Sequence, residues 1–178
     1  MSIIQNLDWA ILHFIRDNLF CPFLDAVMPV ISLLGDKGII WIVLSVGLML
    51  SKRHRKYGII CLAAMLIGLL VGNIALKNLV ARPRPCWLES IDLLVKNPSD
   101  YSFPSGHTLS SVISAVIFTA ANRKFGFVAI PLTVLIAFSR MYLYVHFPSD
   151  VLFAALLGIG IAFLTLALSK KIKPLEAL

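Results

Sequence analysis

The sequence predicts an all-α, polytopic membrane protein: a six-transmembrane-helix bundle preceded by an N-terminal amphipathic interfacial helix. Three observations predict it. The 178 residues are 59% hydrophobic and the mean hydropathy is +0.90, which excludes an ordinary soluble domain and a disordered chain. Apolar runs recur along the whole chain, separated by short polar connections. Three of those connections, SKRHRK (51–56), NRK (122–124) and SKKIK (169–173), hold four, two and three of the 16 Lys and Arg. The net charge of +7 therefore reads as membrane topology, with no nucleic-acid partner expected.

The elements follow in order. Residues 3–18 place Ile4, Leu7, Ile11, Phe14 and Ile15 at helical spacing against Asn6, Asp8, His13, Arg16 and Asp17. That pattern fits a helix lying on the membrane surface. It lacks a basic leading segment and a small-residue cleavage site, so it is expected to be retained. A span needs roughly 20 residues, fewer where the bilayer thins. Runs 57–76 and 151–168 are long enough alone, and 126–145 is similar, with Ser139 and Arg140 near its far end. Run 38–50 is short, as is 108–121, whose first turn is expected to be PSGH (104–107). Run 20–34 contains Asp25 and two prolines. Six spans are expected, with five as the fallback. Residues 1–178 are thus read as one membrane-embedded domain, with an interfacial helix at 1–19 and a six-helix core at 20–171.

The basic connections alternate correctly for one side and are assigned to the cytoplasm; Arg16 joins them if six spans is right. Three polar clusters then fall together on the outer face: KNLVARPRP (77–85), PSGH (104–107) and SRMYLYVHFPSD (139–150). The long polar loop 81–103 lies there too, a length often associated with function, and its stretch 88–95 could form a short interfacial helix. Arg82, Arg84 and Arg140 offend the charge rule on this face, and a bound anion would explain them.

Ionisable groups beside apolar spans are functional candidates. Ser105 is a good N-cap and Gly106 allows close backbone approach, so the start of the PSGH helix suits an anion. The bland alternative is a plain capped helix with an interfacial histidine. Arg140 can fork onto two phosphate oxygens. Pro148 favours a new helix start with Asp150 in its first turn. A carboxylate there can accept from one nitrogen of His146 and leave the other as a nucleophile; the alternative is a snorkelling arginine beside a satisfied His–Asp pair. Lys77 and Arg84 would hold further phosphate oxygens, or form an ordinary basic helix flank. Cys21, Cys61 and Cys86 contain no close pair and suggest no disulfide framework.

Taken together, Lys77…Arg84-Pro85, Pro104–His107 and Ser139-Arg140…His146…Asp150 resemble the three motifs of the type 2 phosphatidic acid phosphatase superfamily, in order and without departure. The resemblance implies a metal-independent lipid phosphatase with no cofactor. In it His146 attacks phosphorus and forms a phosphohistidine, Asp150 orients His146, and His107 protonates the leaving oxygen. Lys77, Arg84, Arg140, Ser105 and the Gly106 amide hold the phosphoryl oxygens, and Arg82 is given no role. Fixed cations suit a transfer that depends on positioning and charge stabilisation. A metal site on the two histidines is disfavoured by those cations. The resemblance favours undecaprenyl diphosphate as substrate, in the plasma (inner) membrane of a bacterium, with the active site extracytoplasmic. Phosphatidylglycerophosphate, phosphatidic acid and a lipid A phosphate are alternatives. A small lipid or ion transporter is the competing class, but transport sites usually lie at mid-membrane, and here the polar groups sit at one end.

Overall fold

In a computed structural model, which describes residues 3–171, these residues are helical and irregular, with no strand among them. Helix α1 (Ile3–Leu19) is followed by α2 (Pro22–Leu34). Pro22 opens α2, where its missing N–H costs nothing. A single 3₁₀ turn (Asp36–Gly38) then leads into α3 (Ile39–Leu50). The turn breaks the helix because Lys37 (φ 51°) and Gly38 (φ 68°) are left-handed.

The direction of α3 corrects the expected count. Cys21 N donates to the Tyr142 hydroxyl, and the Arg55 side chain reaches the Met49 carbonyl. Helix α2 packs on the helix Arg123–Tyr142, and α3 packs on the helix Arg55–Gly68. So α2 and α3 run end to end from one face to the other as a single 29-residue traverse, Pro22–Leu50. Four helices are long and apolar enough to cross a membrane, and the shorter Gly106–Ala121 makes five among the described residues, not six. Arg16 accordingly does not join the 51–56 connection: its guanidinium sits 5.9 Å from the Tyr144 ring, at the opposite end of the bundle.

Helix α4 (Arg55–Gly68) continues through a π-helical segment (Leu69–Leu76) into α5 (Lys77–Val80). Two glycines make this possible. A Cβ at Gly68 would lie 2.7 Å from Ile113, and one at Gly72 2.4 Å from Leu109, so the segment presses directly onto α7 (Gly106–Ala121). After α6 (Pro85–Leu88) the chain is irregular until α7. The helix expected at 88–95 is absent: Ile91, Leu93 and Val95 pack inward at every second residue, the period of extended chain rather than of a helix.

Helix α7 is central, contacting α3, α4 and the two long helices that follow it. Polar groups join it to its neighbours, as expected where lipid gives apolar helices little reason to associate. Trp41 Nε1 donates to Ser111 Oγ at 2.9 Å, and Thr133 Oγ1 to the Ser111 carbonyl at 3.1 Å. Helix α8 (Arg123–Tyr142) stops three residues short of the expected 145, because Tyr144 is left-handed (φ 59°) and the amides of Val145 and His146 return to the Arg140 carbonyl. Helix α9 (Pro148–Ser169) starts at Pro148 with Asp150 in its first turn, as the sequence predicts.

Helix α1 lies across the α8–α9 connection and buries Asp8, Leu12 and Ile15. Of the expected apolar stripe only Ile15 is buried and Ile11 half-buried; Ile4, Leu7 and Phe14 face outward. The buried polar member, Asp8, has a partner described below.

The tightest helix contact gives a test. A Cβ at Gly58 would meet the Ser45 carbonyl oxygen at 2.4 Å, backbone that cannot move aside. Gly58→Val should push α3 off α4 and cost about 1–3 kcal/mol. Thermal unfolding in detergent should show a lower midpoint; an unchanged midpoint would mean that these helices are not held in contact here.

Candidate active site

The three sequence clusters converge on one cavity of about 1200 Å³. Lys77, Arg84, Gly106, His107, Arg140 and His146 line its polar end. Leu62, Met65, Leu66 and Leu69 line the apolar remainder. Each polar group is delivered by a break in a helix. The π segment ends at Lys77, and Arg84 is extended just before Pro85 (φ −79°, ψ 154°), as the residue preceding a proline tends to be. His107 is in the first turn of α7, Arg140 in the last turn of α8, and His146 in the turn before α9.

Two expected site residues do not reach the cavity. Ser105 is fully buried and acts as the N-cap of α7, its Oγ accepting from Thr108 Oγ1 at 3.0 Å. Asp150 lies behind His146. Its Oδ2 is 3.8 Å from His146 Nδ1, too long for the direct hydrogen bond expected from the sequence. The reason is that Asp150 has other donors. Oδ2 accepts from Ser102 Oγ at 2.5 Å and from the Phe147 amide at 2.9 Å, capping α9, while Oδ1 accepts from Arg82 at 2.6 Å. Ser102 Oγ lies 3.5 Å from His146 Nδ1 and stands between the ring and the carboxylate.

On the other side of the ring, His146 Nε2 is 3.1 Å from Arg84 Nη1. A guanidinium offers only donors, so this contact uses the Nε2 lone pair and places the ring proton on Nδ1. Burial, with the Arg84, Arg140 and Lys77 charges nearby, pushes the His146 imidazole well below its usual range, so the ring is neutral at pH 7.

The cations are not equivalent. Lys77 Nζ is 2.5 Å and Arg84 Nη2 2.8 Å from the Asp100 carboxylate. Burial alone would raise that carboxyl, but hydrogen bonding from Lys77 and the charges of Arg84 and Lys77 outweigh it and hold it at about 2. Among the described residues Arg140 makes no ion pair; it donates to Ser32 Oγ, and its Nε lacks a partner. Gly106 is pressed against Asn73, whose side chain a Cβ would meet at 2.9 Å. Asn73 also lines the cavity, and its Oδ1 has no hydrogen-bond partner.

Arg82, given no role from sequence, bridges Asp150 to α1. Its Nη2 donates to Asp8 Oδ2 at 2.7 Å and to Gln5 Oε1 at 2.8 Å, and its guanidinium stacks 4.1 Å from the Phe147 ring centroid. Asp8 also accepts from the Ser149 amide and hydroxyl at 2.9 and 2.6 Å. The one sequence signal for Arg82 was its position on a face that basic residues avoid. Asp100, Ser102 and Asn73 carried none beyond being polar near an apolar span.

A helical membrane bundle with three cations and a neutral histidine around one cavity defines a class: enzymes that act on phosphate groups at a membrane surface. The chain belongs to the PAP2 superfamily, whose profile matches residues 57–174. It is 35% identical over 144 residues to an undecaprenyl-diphosphatase of Sulfolobus acidocaldarius, covering 80% of this chain and 69% of that protein. Two solved structures share the fold. One is Aquifex aeolicus LpxE, with TM-score 0.81 and 27% identity over 94% of this chain and 99% of that one. The other is a transmembrane PAP2-type phosphatidylglycerolphosphate phosphatase from Bacillus subtilis, with TM-score 0.79 and 26% identity over 97% and 89%. The chain is therefore a membrane lipid phosphatase, a hydrolase of lipid phosphate esters.

The His146 geometry makes a spectroscopic prediction. In a ¹⁵N-histidine NMR titration in detergent, the His146 ring should be neutral at pH 6, with its proton on Nδ1. A charged ring at that pH, or a proton on Nε2, would contradict the contact with Arg84.

Proposed function

We propose that this phosphatase converts undecaprenyl diphosphate to undecaprenyl phosphate through a phosphohistidine. The observation that carries the reading is the neutral His146 ring on the wall of a cavity lined by Lys77, Arg84 and Arg140, its Nε2 lone pair held by Arg84 Nη1 until a phosphate draws that guanidinium away. Nε2 attacks the terminal phosphorus as the bond to the bridging oxygen breaks, and His107 gives that oxygen its proton. In the second step water attacks the phosphohistidine, His107 takes its proton, and inorganic phosphate leaves. Lys77, Arg84, Arg140 and the Gly106 amide hold the equatorial oxygens, Ser105 fixes the turn that presents that amide, and Asp150 holds the His146 ring through Ser102. No metal or cofactor enters this scheme. Among the described residues no group of three or more His, Cys, Asp and Glu is placed to hold a metal ion.

The substrate assignment rests on the similarity to the Sulfolobus acidocaldarius undecaprenyl-diphosphatase and on the apolar wall of Leu62, Met65, Leu66 and Leu69, which suits an isoprenoid chain. The neighbour that acts on phosphatidylglycerolphosphate keeps that lipid as the second reading. We place residues 3–171 in one membrane domain of a bacterial plasma membrane, the rest of the expected 1–178 lying outside the described residues, with α1 in the outer interface and its outward Ile4, Leu7 and Phe14 against lipid.

Purified protein in excess EDTA should release phosphate from undecaprenyl diphosphate, and acid-labile label from labelled substrate should be trapped on the protein. His146→Ala should do neither while staying folded. A tenth of native activity in that variant would remove His146 as nucleophile, and faster turnover of phosphatidylglycerophosphate would reassign the substrate.

The outward orientation has its own test. Cys86 and Cys21 both lie at the site end of the bundle, Cys86 half-buried and Cys21 exposed. A membrane-impermeant maleimide should label intact spheroplasts, and the Cys21→Ser/Cys86→Ser double variant should remove the label. Labelling only after the membrane is broken would invert the topology.

A further inference from the structure

Asp100 occupies the seat proposed for substrate phosphate. Its carboxylate takes Lys77 Nζ at 2.5 Å and Arg84 Nη2 at 2.8 Å, and its backbone oxygen takes Arg84 Nε at 2.7 Å. Arg84 has its Nη1 on the Val145 carbonyl at 2.6 Å. Two of the three cations around the cavity are thus already neutralised by a carboxylate that uses one oxygen on each, as a phosphate would. Yet Asp100 is not built in. Its side chain is 55% exposed, and it belongs to the irregular chain between α6 and α7, so it can swing out to water without burying a charge.

We propose that Asp100 is a specificity-determining residue, a resident anion that yields the cradle to a terminal phosphate and withholds it from phosphodiester headgroups. This rests on the reading of the site as a lipid phosphate cradle. A phosphodiester carries one negative charge and two free oxygens. It offers Lys77 and Arg84 nothing that the carboxylate does not, and Asp100, being tethered, competes at an effective concentration on the order of millimolar. A terminal phosphate carries close to two charges and three strong acceptor oxygens, enough to satisfy Lys77, Arg84 and the unpaired Arg140 together. With Asp100 swung out, all three cations face the dianion, whereas a single-charged phosphodiester would exchange one monoanion for another. A bilayer presents phosphodiesters in large excess, and without such a competitor they would fill the site.

The test is equilibrium binding of labelled inorganic phosphate to the purified protein in detergent micelles, with and without phosphatidylglycerol as the phosphodiester. Asp100→Asn should bind phosphate about tenfold more tightly, since a charged competitor for two donors is gone. Phosphatidylglycerol should displace phosphate from the variant but not from the native protein. Asp100→Ser should behave alike and serves if the asparagine variant does not fold. Weaker or unchanged phosphate binding would show that Asp100 only props Lys77 and Arg84 in place, and overturns the proposal. Tighter phosphate binding without displacement by phosphatidylglycerol overturns it too. Neither arm uses turnover, so a native protein that binds phosphate as expected but hydrolyses no lipid phosphate would count against the proposed reaction and not against the role of Asp100.

Discussion

The Arg82 guanidinium, shared between two buried carboxylates, is the contact on which the rest of the site depends. Asp8 and Asp150 are almost wholly buried, and a carboxylate in an apolar interior is tolerated only when paired and hydrogen-bonded. Arg82 pairs with both. That arrangement draws α1, the chain after α5 and the start of α9 to one point. Ser102 joins them, its amide on the Arg82 carbonyl at 2.8 Å and its hydroxyl on Asp150. With its other lone pairs committed, Asp150 does not follow the His146 ring; it fixes the frame within which the ring is held. His146 meets Ser102 on one side and Arg84 on the other, which leaves it one orientation. In the proposed chemistry that rigidity aims the nucleophile.

The fold itself follows from how the chain satisfies polar groups in apolar surroundings. Serines and threonines on α7 bond to Trp41, Thr133 and the backbone, so the central helix is tied to its neighbours by directional contacts. Gly58 leaves room for the Ser45 backbone, and Gly68 and Gly72 leave room for the Ile113 and Leu109 side chains of α7. These devices hold the bundle close-packed around α7, with the cavity between α4 and the α2–α3 turn.

Much of this was legible in the sequence because charged and helix-breaking residues stand out against an apolar background. Lys77, Arg84, His107, Arg140 and His146 were found that way, and they do share one cavity. The start of α9 at Pro148 and the cap at Ser105 follow from local rules that need no partner. What was missed depends on distant partners. Asp8 and Asp150 lie 74 and 68 positions from Arg82, and no local pattern links them. The crossing count failed for a similar reason. Two apolar runs of 13 and 12 residues joined by Gly-Asp-Lys-Gly look like a hairpin, and only the packing of α2 on α8 and of α3 on α4 sends the chain straight on. The stretch 88–95 was misjudged because its inward residues, at every second position, pack on surfaces formed by other parts of the chain: Ile91 and Leu93 on the cluster of Leu12 and Tyr144, Val95 on that of Ile15 and Val145.

The π-helical stretch between Gly68 and Lys77 fixes more than a local shape. An α-helix advances about 100° per residue, and π turns absorb surplus residues without breaking the rod. Leu69–Leu76 therefore sets the angular phase of everything after it, Asn73 and Lys77 included. Losing one of those eight residues and relaxing to ordinary winding would leave Lys77 near its present angle, because the surplus residue is what the wider turns take up. What would change is the phase inside the segment: Asn73, which these turns place at the cavity, would lose its present angle relative to Lys77 while both remain encoded.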